Sequence, residues 1–321
     1  MNTQSNAVPE FPRDSHINDS QGIAPAAMAP TRPMYWSLRR ELWENRSIYV
    51  APLAVAAIYL VGFFISLYWL PRNMRALAAT HAPANQRVEL AMPYSHAAML
   101  LMLIGFLVGI FYSLDALYSE RRERSILFWK SLPVSDLTTV LSKAIIPLAV
   151  LPLLVFAVTV TLQVIMRLLA LAVLVMRGVG AGTLWTRLPL FQMELVLLYG
   201  LTVLALWHAP IYCWFLLVSG WARRATFLWA VLPPLAIAAL EYIAFHTKYL
   251  GLLLQDRLFG FAAGAFDLKD QSGVPVDPHF IPLAQLAPGR FLSSPSLWIG
   301  LVFAAICLAA AVRLRRYQGP V

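Results

Sequence analysis

The fold of this chain follows from Ile48–Leu70, which reads IYVAPLAVAAIYLVGFFISLYWL. These 23 residues carry no charged side chain. At about 1.5 Å per residue, a helix of this length extends roughly 34 Å. The hydrocarbon core of a bilayer is about 30 Å thick, so the run is long enough to cross it. The pattern therefore predicts a transmembrane helix.

The rest of the chain repeats this pattern. Five further apolar runs predict helices at 97–117, 144–166, 193–218, 226–245 and 296–312. Only 13% of the residues are charged, whereas a soluble domain carries about 25%. Two cysteines, Cys213 and Cys307, lie within apolar runs, which excludes a disulfide framework. We therefore expect an all-α integral membrane protein with six transmembrane helices in residues 48–321.

Two segments precede the first span. Residues 1–33 are polar and contain prolines but no apolar signal-peptide core, which predicts a disordered cytoplasmic tail. Residues 34–47 are amphipathic, with Leu38 and Leu42 on one face and charged side chains on others. This pattern favours an interfacial helix lying along the membrane surface. A simple anchor and a functional elbow are equally compatible with it.

The basic residues predict the orientation. Of the 25 lysines and arginines, 15 lie in the two termini and in the two links that a six-span topology places on the same side. Positive residues accumulate on the cytoplasmic side of membrane proteins. The net charge of +9 is explained in this way, and we expect no nucleic-acid partner. Both termini should be cytoplasmic, in a chain integral to the cell (cytoplasmic or inner) membrane.

The apolar stretch 249–266 allows two interpretations. It is interrupted by Asp256 and Arg257, which would lie near the middle of the bilayer if the stretch were a seventh span. Such a placement costs several kcal/mol. A re-entrant or interfacial helix within a long external segment, 246–296, is the interpretation that we favour.

Small residues in the second span predict close packing. Gly105 and Gly109 are four positions apart and form a small-xxx-small pair. Such a pair lets a neighbouring helix approach closely. The neighbour is either a helix of the same chain or a second copy.

The link between the second and third spans has the most distinctive sequence, YSERRERSILFWKSLPVSDLTTVLSK at 118–143. A charged group at 120–124 is followed by an aromatic segment that Pro133 ends. Ser135 is placed as the N-cap of the next helix, and Asp136 complements that helix's dipole. From the residues alone, a solvated cytoplasmic loop with a basic anchor on anionic lipid is the interpretation that we favour over a docking element.

Together with Glu41–Pro52 (ELWENRSIYVAP), this link resembles the permease subunit of ABC-2 type transporters. Six spans, cytoplasmic termini and a long external segment before the last span agree with that family. The resemblance covers about residues 34–321, and SILFWKSLP is its most specific run. It implies the membrane-spanning subunit of an ATP-driven transporter, and an exporter, since the family consists mostly of exporters.

In such permeases the cytoplasmic link after the second span docks onto a separate ATPase subunit as a coupling helix, and the helix before the first span is an elbow. The resemblance implies that the coupling residues are Glu120, Arg121, Arg124, Ser125, Phe128, Trp129, Lys130, Pro133, Ser135 and Asp136, and that the elbow residues are Trp43, Glu44 and Arg46. It also implies a second permease copy, expected as a homodimer, surrounded by membrane lipids.

Several catalytic motifs are missing from the sequence. No G-x-x-x-x-G-K-[ST] run occurs, so we expect ATP and magnesium on the partner subunit and no cofactor on this chain. H-E-x-x-H, paired Cys-x-x-Cys and G-x-S-x-G are also missing, so neither a metal site nor a catalytic site is expected. The chain is not expected to be an enzyme.

Two ionisable residues within the spans are candidates for a substrate pathway. His208 lies near the middle of the fourth span, two residues before Pro210, where it is equally able to bond a backbone carbonyl that the proline frees. Glu241 lies in the outer part of the fifth span. It could line a pathway, but pairing with His246 or Lys248 is the interpretation that we favour.

Two other classes of function compete with the permease. One is a membrane scaffold whose basic cytoplasmic face recruits partners. The other is an ion- or proton-coupled secondary transporter, which ordinarily places several carboxylates at mid-membrane. Only His208 is clearly central, which counts against that class. The apolar spans suit lipids, hydrophobic peptides and drugs alike, so the substrate stays open.

Overall fold

The structure, a computed structural model, describes residues 31–72, 83–123, 135–178, 189–267 and 281–317. Every regular element within these ranges is helical, and the extended pairing recorded there is one isolated bridge between Phe266 and Leu286. Six helices are long and apolar enough to cross a membrane. The predicted all-α class and the predicted number of membrane-length helices are therefore confirmed.

Twelve α-helices are described. Their bounds are α1 Thr31–Glu44, α2 Ser47–Ser66, α3 Pro83–Asp115, α4 Tyr118–Arg122, α5 Asp136–Ile145, α6 Leu151–Met176, α7 Leu190–Trp221, α8 Thr226–Phe245, α9 Tyr249–Phe259, α10 Phe261–Ala265, α11 Pro288–Leu292 and α12 Pro295–Tyr317. A π-helical segment, Ile146–Val150, joins α5 to α6, so that one continuous helical stretch covers Asp136–Met176. A 3₁₀ turn lies at Leu283–Gln285.

Each predicted span overlaps one of the six long helices, but most helix ends differ from the prediction. The first span, predicted to end at residue 70, ends earlier, at Ser66. The fifth span matches α8 at both ends. The third span, predicted at 144–166, is only the middle of the stretch Asp136–Met176. Hydropathy identifies the part of a helix that suits a bilayer, whereas backbone hydrogen bonding continues into polar residues on either side. For the same reason α1 begins at Thr31, ahead of the predicted residue 34.

The fourth membrane-length helix, α7, is the centre of the bundle. Buried residues make up 67% of its most apolar part, against 6% for α8. It packs against α3, α6 and α12, while α8 lies at the periphery. Lipid tails can cover the exposed apolar side chains of α8, so such a peripheral helix needs few protein contacts.

Close approach of α3 to its neighbours depends on the two glycines. A Cβ atom added at Gly105 would lie 2.7 Å from Cγ2 of Val155 on α6, and one added at Gly109 would lie 2.9 Å from Cε1 of Tyr212 on α7. Real Cβ atoms do not tolerate such distances. The small-residue pair is thus filled by helices of the same chain, not by a second copy.

Gly105→Ala should therefore destabilise the protein by about 1–3 kcal/mol, the usual cost of overpacking a well-packed interior. Gly62→Ala on α2 is the matched control, because a Cβ atom there meets nothing within 4 Å. This control should leave the stability within about 1 kcal/mol of the parent. Unfolding in a dodecyl sulfate titration would measure both, and equal losses would contradict the packing argument.

The segment before α12 forms short helices rather than a seventh membrane-length helix. Helices α9 and α10 contain 11 and 5 residues and are separated by Gly260. Trp207 Nε1, on α7, donates to the carbonyl of Asp256 at 3.2 Å. The Arg257 guanidinium lies over the Trp207 ring at 4.6 Å and donates to Ser296, next to the start of α12. The predicted Asp–Arg pair therefore helps to join α9 to α7 and α12.

Candidate functional site

Four elements meet at one end of the bundle: α1, α4, the start of α5 and the C-terminal end of α12. We call this end the basal end. An apolar cluster that includes Ile48, Ala116, Val140 and Ala311 brings the helix ends together there. Leu38 and Leu42 pack α1 onto the same cluster. Charged side chains next to it are thereby shielded from water.

Lys143 is the most buried cation of the group. Its Nζ atom lies 2.7 Å from Glu41 Oε1 and 3.2 Å from Glu120 Oε1, and these three side chains are only 2–4% exposed. Tyr112 completes the environment of Glu41, since its hydroxyl donates to Oε2 at 2.8 Å. The contacts join α1, α3, α4 and α5.

Arg315 brings in the last helix. Its Nη1 atom donates to Glu120 Oε2, and its Nε atom donates to Asp136 Oδ1 at 3.1 Å. Arg40 Nη2 donates to the other oxygen of Glu120 at 3.0 Å. Glu120 therefore binds cations from α1, α5 and α12. We call the six charged residues Arg40, Glu41, Glu120, Asp136, Lys143 and Arg315 the ionic cluster.

The electrostatics of the ionic cluster are balanced. Three carboxylates face three cations, so no net charge is buried if all six are ionised. Burial by itself lowers the pKa of Arg40, but the neighbouring carboxylates outweigh this effect and raise the pKa above its ordinary value. A buried charge is tolerated when it is paired, and it is costly when its partner is removed. Removal of one member of the ionic cluster would therefore leave a partner buried without its counter-charge.

The structure describes four of the ten predicted coupling residues: Glu120, Arg121, Ser135 and Asp136. Arg124, Ser125, Phe128, Trp129, Lys130 and Pro133 lie outside the described residues. Glu120 and Asp136 belong to the ionic cluster, so the buried carboxylate of Glu120 is not part of an open docking surface. Arg121 is also buried, and its Nη1 atom donates to Gly220 O at 2.5 Å and Ala222 O at 3.3 Å, at the C-terminal end of α7.

The predicted helix start is confirmed. Ser135 is the N-cap of α5, and its hydroxyl oxygen accepts the backbone N–H of Thr138 at 3.1 Å. The elbow residues lie at the junction of α1 and α2: Trp43 is exposed, Glu44 pairs with Arg40 at 2.8 Å, and Arg46 is exposed in the two-residue link.

Sequence reasoning did not single out four members of the ionic cluster: Arg40, Glu41, Lys143 and Arg315. The three cations among them flank apolar runs, where basic residues are used to predict the orientation of the chain in the membrane. Lys143 directly precedes the predicted third span, and its partner Glu41 is 102 residues away. Charges of both signs at the ends of several spans could have indicated an ionic cluster. The sequence does not show which of these charges pair.

The structure does not bring the two pathway candidates together. The ring nitrogens of His208, which is buried, lie 2.9 Å from Leu204 O and 3.3 Å from Leu258 O on α9. His208 therefore contacts two backbone carbonyls. The Leu204 carbonyl is not the one that Pro210 frees, because Leu204 is six residues before the proline. His208 links α7 to α9.

The expected pairing of Glu241 with His246 or Lys248 is wrong. Its carboxylate accepts the Thr247 hydroxyl and the backbone N–H groups of Tyr249 and Leu250, each at 2.8 Å. His246 adopts a left-handed conformation that ends α8 and turns the chain. This turn places the free N–H groups at the start of α9 next to Glu241. The carboxylate of Glu241 accepts their hydrogen bonds.

Comparison of the chain with protein-family models, curated proteins and solved structures found no match. Within the part of the chain that the structure describes, no group of three or more His, Cys, Asp or Glu side chains is placed to hold a metal ion. The ionic cluster is thus the candidate site, and its chemistry is mutual charge neutralisation across four helices.

Lys143→Met should destabilise the protein by about 3–5 kcal/mol, because it leaves the carboxylate of Glu41 buried without its cation. The double variant Glu41→Gln/Lys143→Met should lose less than Lys143→Met alone, since both buried charges of that pair are removed. The free energy of unfolding from a dodecyl sulfate titration measures both variants.

Arg122→Met provides the matched control. Arg122 is 59% exposed and lies 3.6 Å from an exposed carboxylate, that of Glu123. Exposed pairs contribute about 1 kcal/mol at most, so the control should be close to the parent. If the double variant loses as much unfolding free energy as Lys143→Met and Glu41→Gln lose together, Lys143 and Glu41 are not coupled.

Proposed function

We propose that this chain is the membrane-spanning permease subunit of an ATP-driven ABC-2 type transporter. The proposal rests on the resemblance of 41–52 and 120–143 to that family, and on six membrane-length helices. A separate chain would bind ATP and magnesium and hydrolyse the nucleotide. Export is the proposed direction, since the family consists mostly of exporters.

The observation that carries the proposal is the way the ionic cluster holds both ends of the segment 124–134. Glu120 lies four residues before this segment and Asp136 two residues after it, and Arg315 binds both. A force applied to the segment by a docked ATPase would therefore reach α12 through two anchors. A flexible link without such anchors would absorb the force.

The same anchors reach the remaining helices at the basal end. Glu120 and Lys143 connect the segment to Glu41 on α1, and Arg121 connects it to the last carbonyls of α7. Since α7 is the centre of the bundle, the contacts join the proposed docking element to the helices most able to move the core. This arrangement suits transmission of a rigid-body movement.

Transmission also requires contacts that differ between two states of the transporter. Glu120 offers such a choice, because three cations share its two oxygens: Arg40 and Lys143 lie near Oε1, and Arg315 binds Oε2. A small displacement of α4 would exchange one pairing for another while every charge keeps a partner. The ionic cluster is accordingly the proposed two-state element of the permease.

The proposed assembly contains two permease copies and two ATPase chains in the cell membrane, with both termini cytoplasmic. In this arrangement the basal end faces the cytoplasm and α1 is the elbow at the membrane surface.

The first test is purification of the chain from its native membranes in mild detergent, followed by mass spectrometry of the co-purified proteins. An ATP-binding chain at about one per permease, with vanadate-sensitive ATPase activity, is the expected result. Recovery without such a chain, repeated after crosslinking, would remove the permease proposal and leave a scaffold or a secondary transporter.

Trp129→Ala and Pro133→Ala should each lower the ATPase activity of the purified complex and leave the amount of permease in the membrane unchanged. The matched control is Trp69→Ala, an exposed tryptophan just beyond the far end of α2. The control should keep the parent activity. Unchanged activity and transport in both docking variants would exclude the segment 124–134 as the coupling element.

A further inference from the structure

One face of α1 holds an arginine between two indole rings. The Arg39 guanidinium carbon lies 5.4 Å from the centre of the Trp36 ring and 5.1 Å from that of Trp43. The two tryptophans are 57% and 70% exposed. Stacking of this kind orients a guanidinium and leaves its N–H edge pointing away from the rings.

The neighbouring arginine, Arg40, has contacts of a different kind from those of Arg39. Arg40 turns toward the bundle, where it binds Glu44 and Glu120. Among the residues that the structure describes, Arg39 has neither a carboxylate nor a hydrogen-bond acceptor. Its N–H edge is therefore oriented by the two rings and open to a ligand.

The location of this face points to a membrane ligand. Only Asn45 and Arg46 separate α1 from α2, so the C-terminal end of α1 lies directly beside the first membrane-length helix. Leu38 and Leu42 bind the other side of α1 to the bundle. Tryptophan is enriched at membrane interfaces because its ring is apolar and its N–H is polar.

We propose that Trp36, Arg39 and Trp43 form a binding site for the headgroup of an anionic phospholipid. The N–H edge of Arg39 donates to phosphate oxygens, for which the planar guanidinium is well matched. The two indoles contact the glycerol and the upper acyl chains, which a free phosphate ion does not possess. The site therefore selects a lipid over a soluble anion, and it goes beyond the proposed transport function without depending on it.

Binding at this site is expected to stabilise the whole basal end. Arg39 and Glu41 lie on different faces of the same helix, and Glu41 is fixed by Lys143. A headgroup that holds α1 at the membrane also holds Glu41 in the ionic cluster. Thermal unfolding is therefore a suitable measure of lipid binding.

The experiment uses the full chain in dodecyl maltoside micelles that contain phosphatidylcholine and increasing mole fractions of phosphatidylglycerol. The unfolding temperature is followed with a thiol-reactive dye, since Cys213 and Cys307 are free and buried. Phosphatidylglycerol should raise this temperature in the parent protein. Arg39→Gln should need about fivefold more phosphatidylglycerol for half of the effect.

Arg316→Gln is the matched control, because Arg316 is exposed at the same end and the variant removes the same charge. Its midpoint should shift less than twofold. Trp36→Leu/Trp43→Leu, which keeps Arg39, should shift the midpoint in the same direction as Arg39→Gln, and it decides the question if Arg39→Gln does not fold.

Three outcomes would overturn the proposal. Equal stabilisation of the parent by the two lipids would show that no anionic headgroup is recognised. Equal shifts for Arg39→Gln and Arg316→Gln would show a diffuse charge effect. The same stabilisation by soluble glycerol 3-phosphate would show a site for free anions in place of a lipid site.

Discussion

The contact of Lys143 with Glu41 and Glu120 is the interaction on which the basal end depends. Transfer of a lone charge from water into a protein interior is very unfavourable, so a lysine with 2% exposure requires carboxylates within contact distance. Those carboxylates lie on α1 and α4, and Glu120 in turn requires Arg315 on α12. One buried cation thus fixes the first helix, the ends of the central link and the last helix relative to one another.

Away from the basal end, the helices are held together mainly by close packing. Buried residues make up 67% of the most apolar part of α7, and α3 approaches this helix closely only because Gly109 leaves room for the Tyr212 ring. Near the middle of α7, Trp207 and His208 contact backbone carbonyls of α9. Helix α7 therefore contacts the basal end through Arg121 and the short helix α9 through Trp207 and His208.

In the proposed function, the helices move relative to one another at the ionic cluster. Apolar packing has few alternative arrangements of similar energy, whereas a carboxylate shared by three cations can exchange partners with little loss. Glu120 is such a carboxylate, and it is four residues from the segment that the resemblance assigns to ATPase docking. On the other side of α1, Arg39 is the proposed contact with the lipid headgroups. Helix α1 would then connect the membrane surface with the coupling element.

The sequence by itself determined the class of protein, because hydropathy and length suffice to identify helices that cross a bilayer. It also determined the start of α5, since the Ser135 cap is a local interaction between residues three positions apart. Tertiary structure alone decided the ionic cluster. Lys143 and Glu41 are 102 residues apart, and Arg315 and Glu120 are 195 apart, so no local pattern relates them. These residues pair because their helices pack side by side. The sequence does not predict which helices are neighbours, since every apolar run is equally suited to a bilayer.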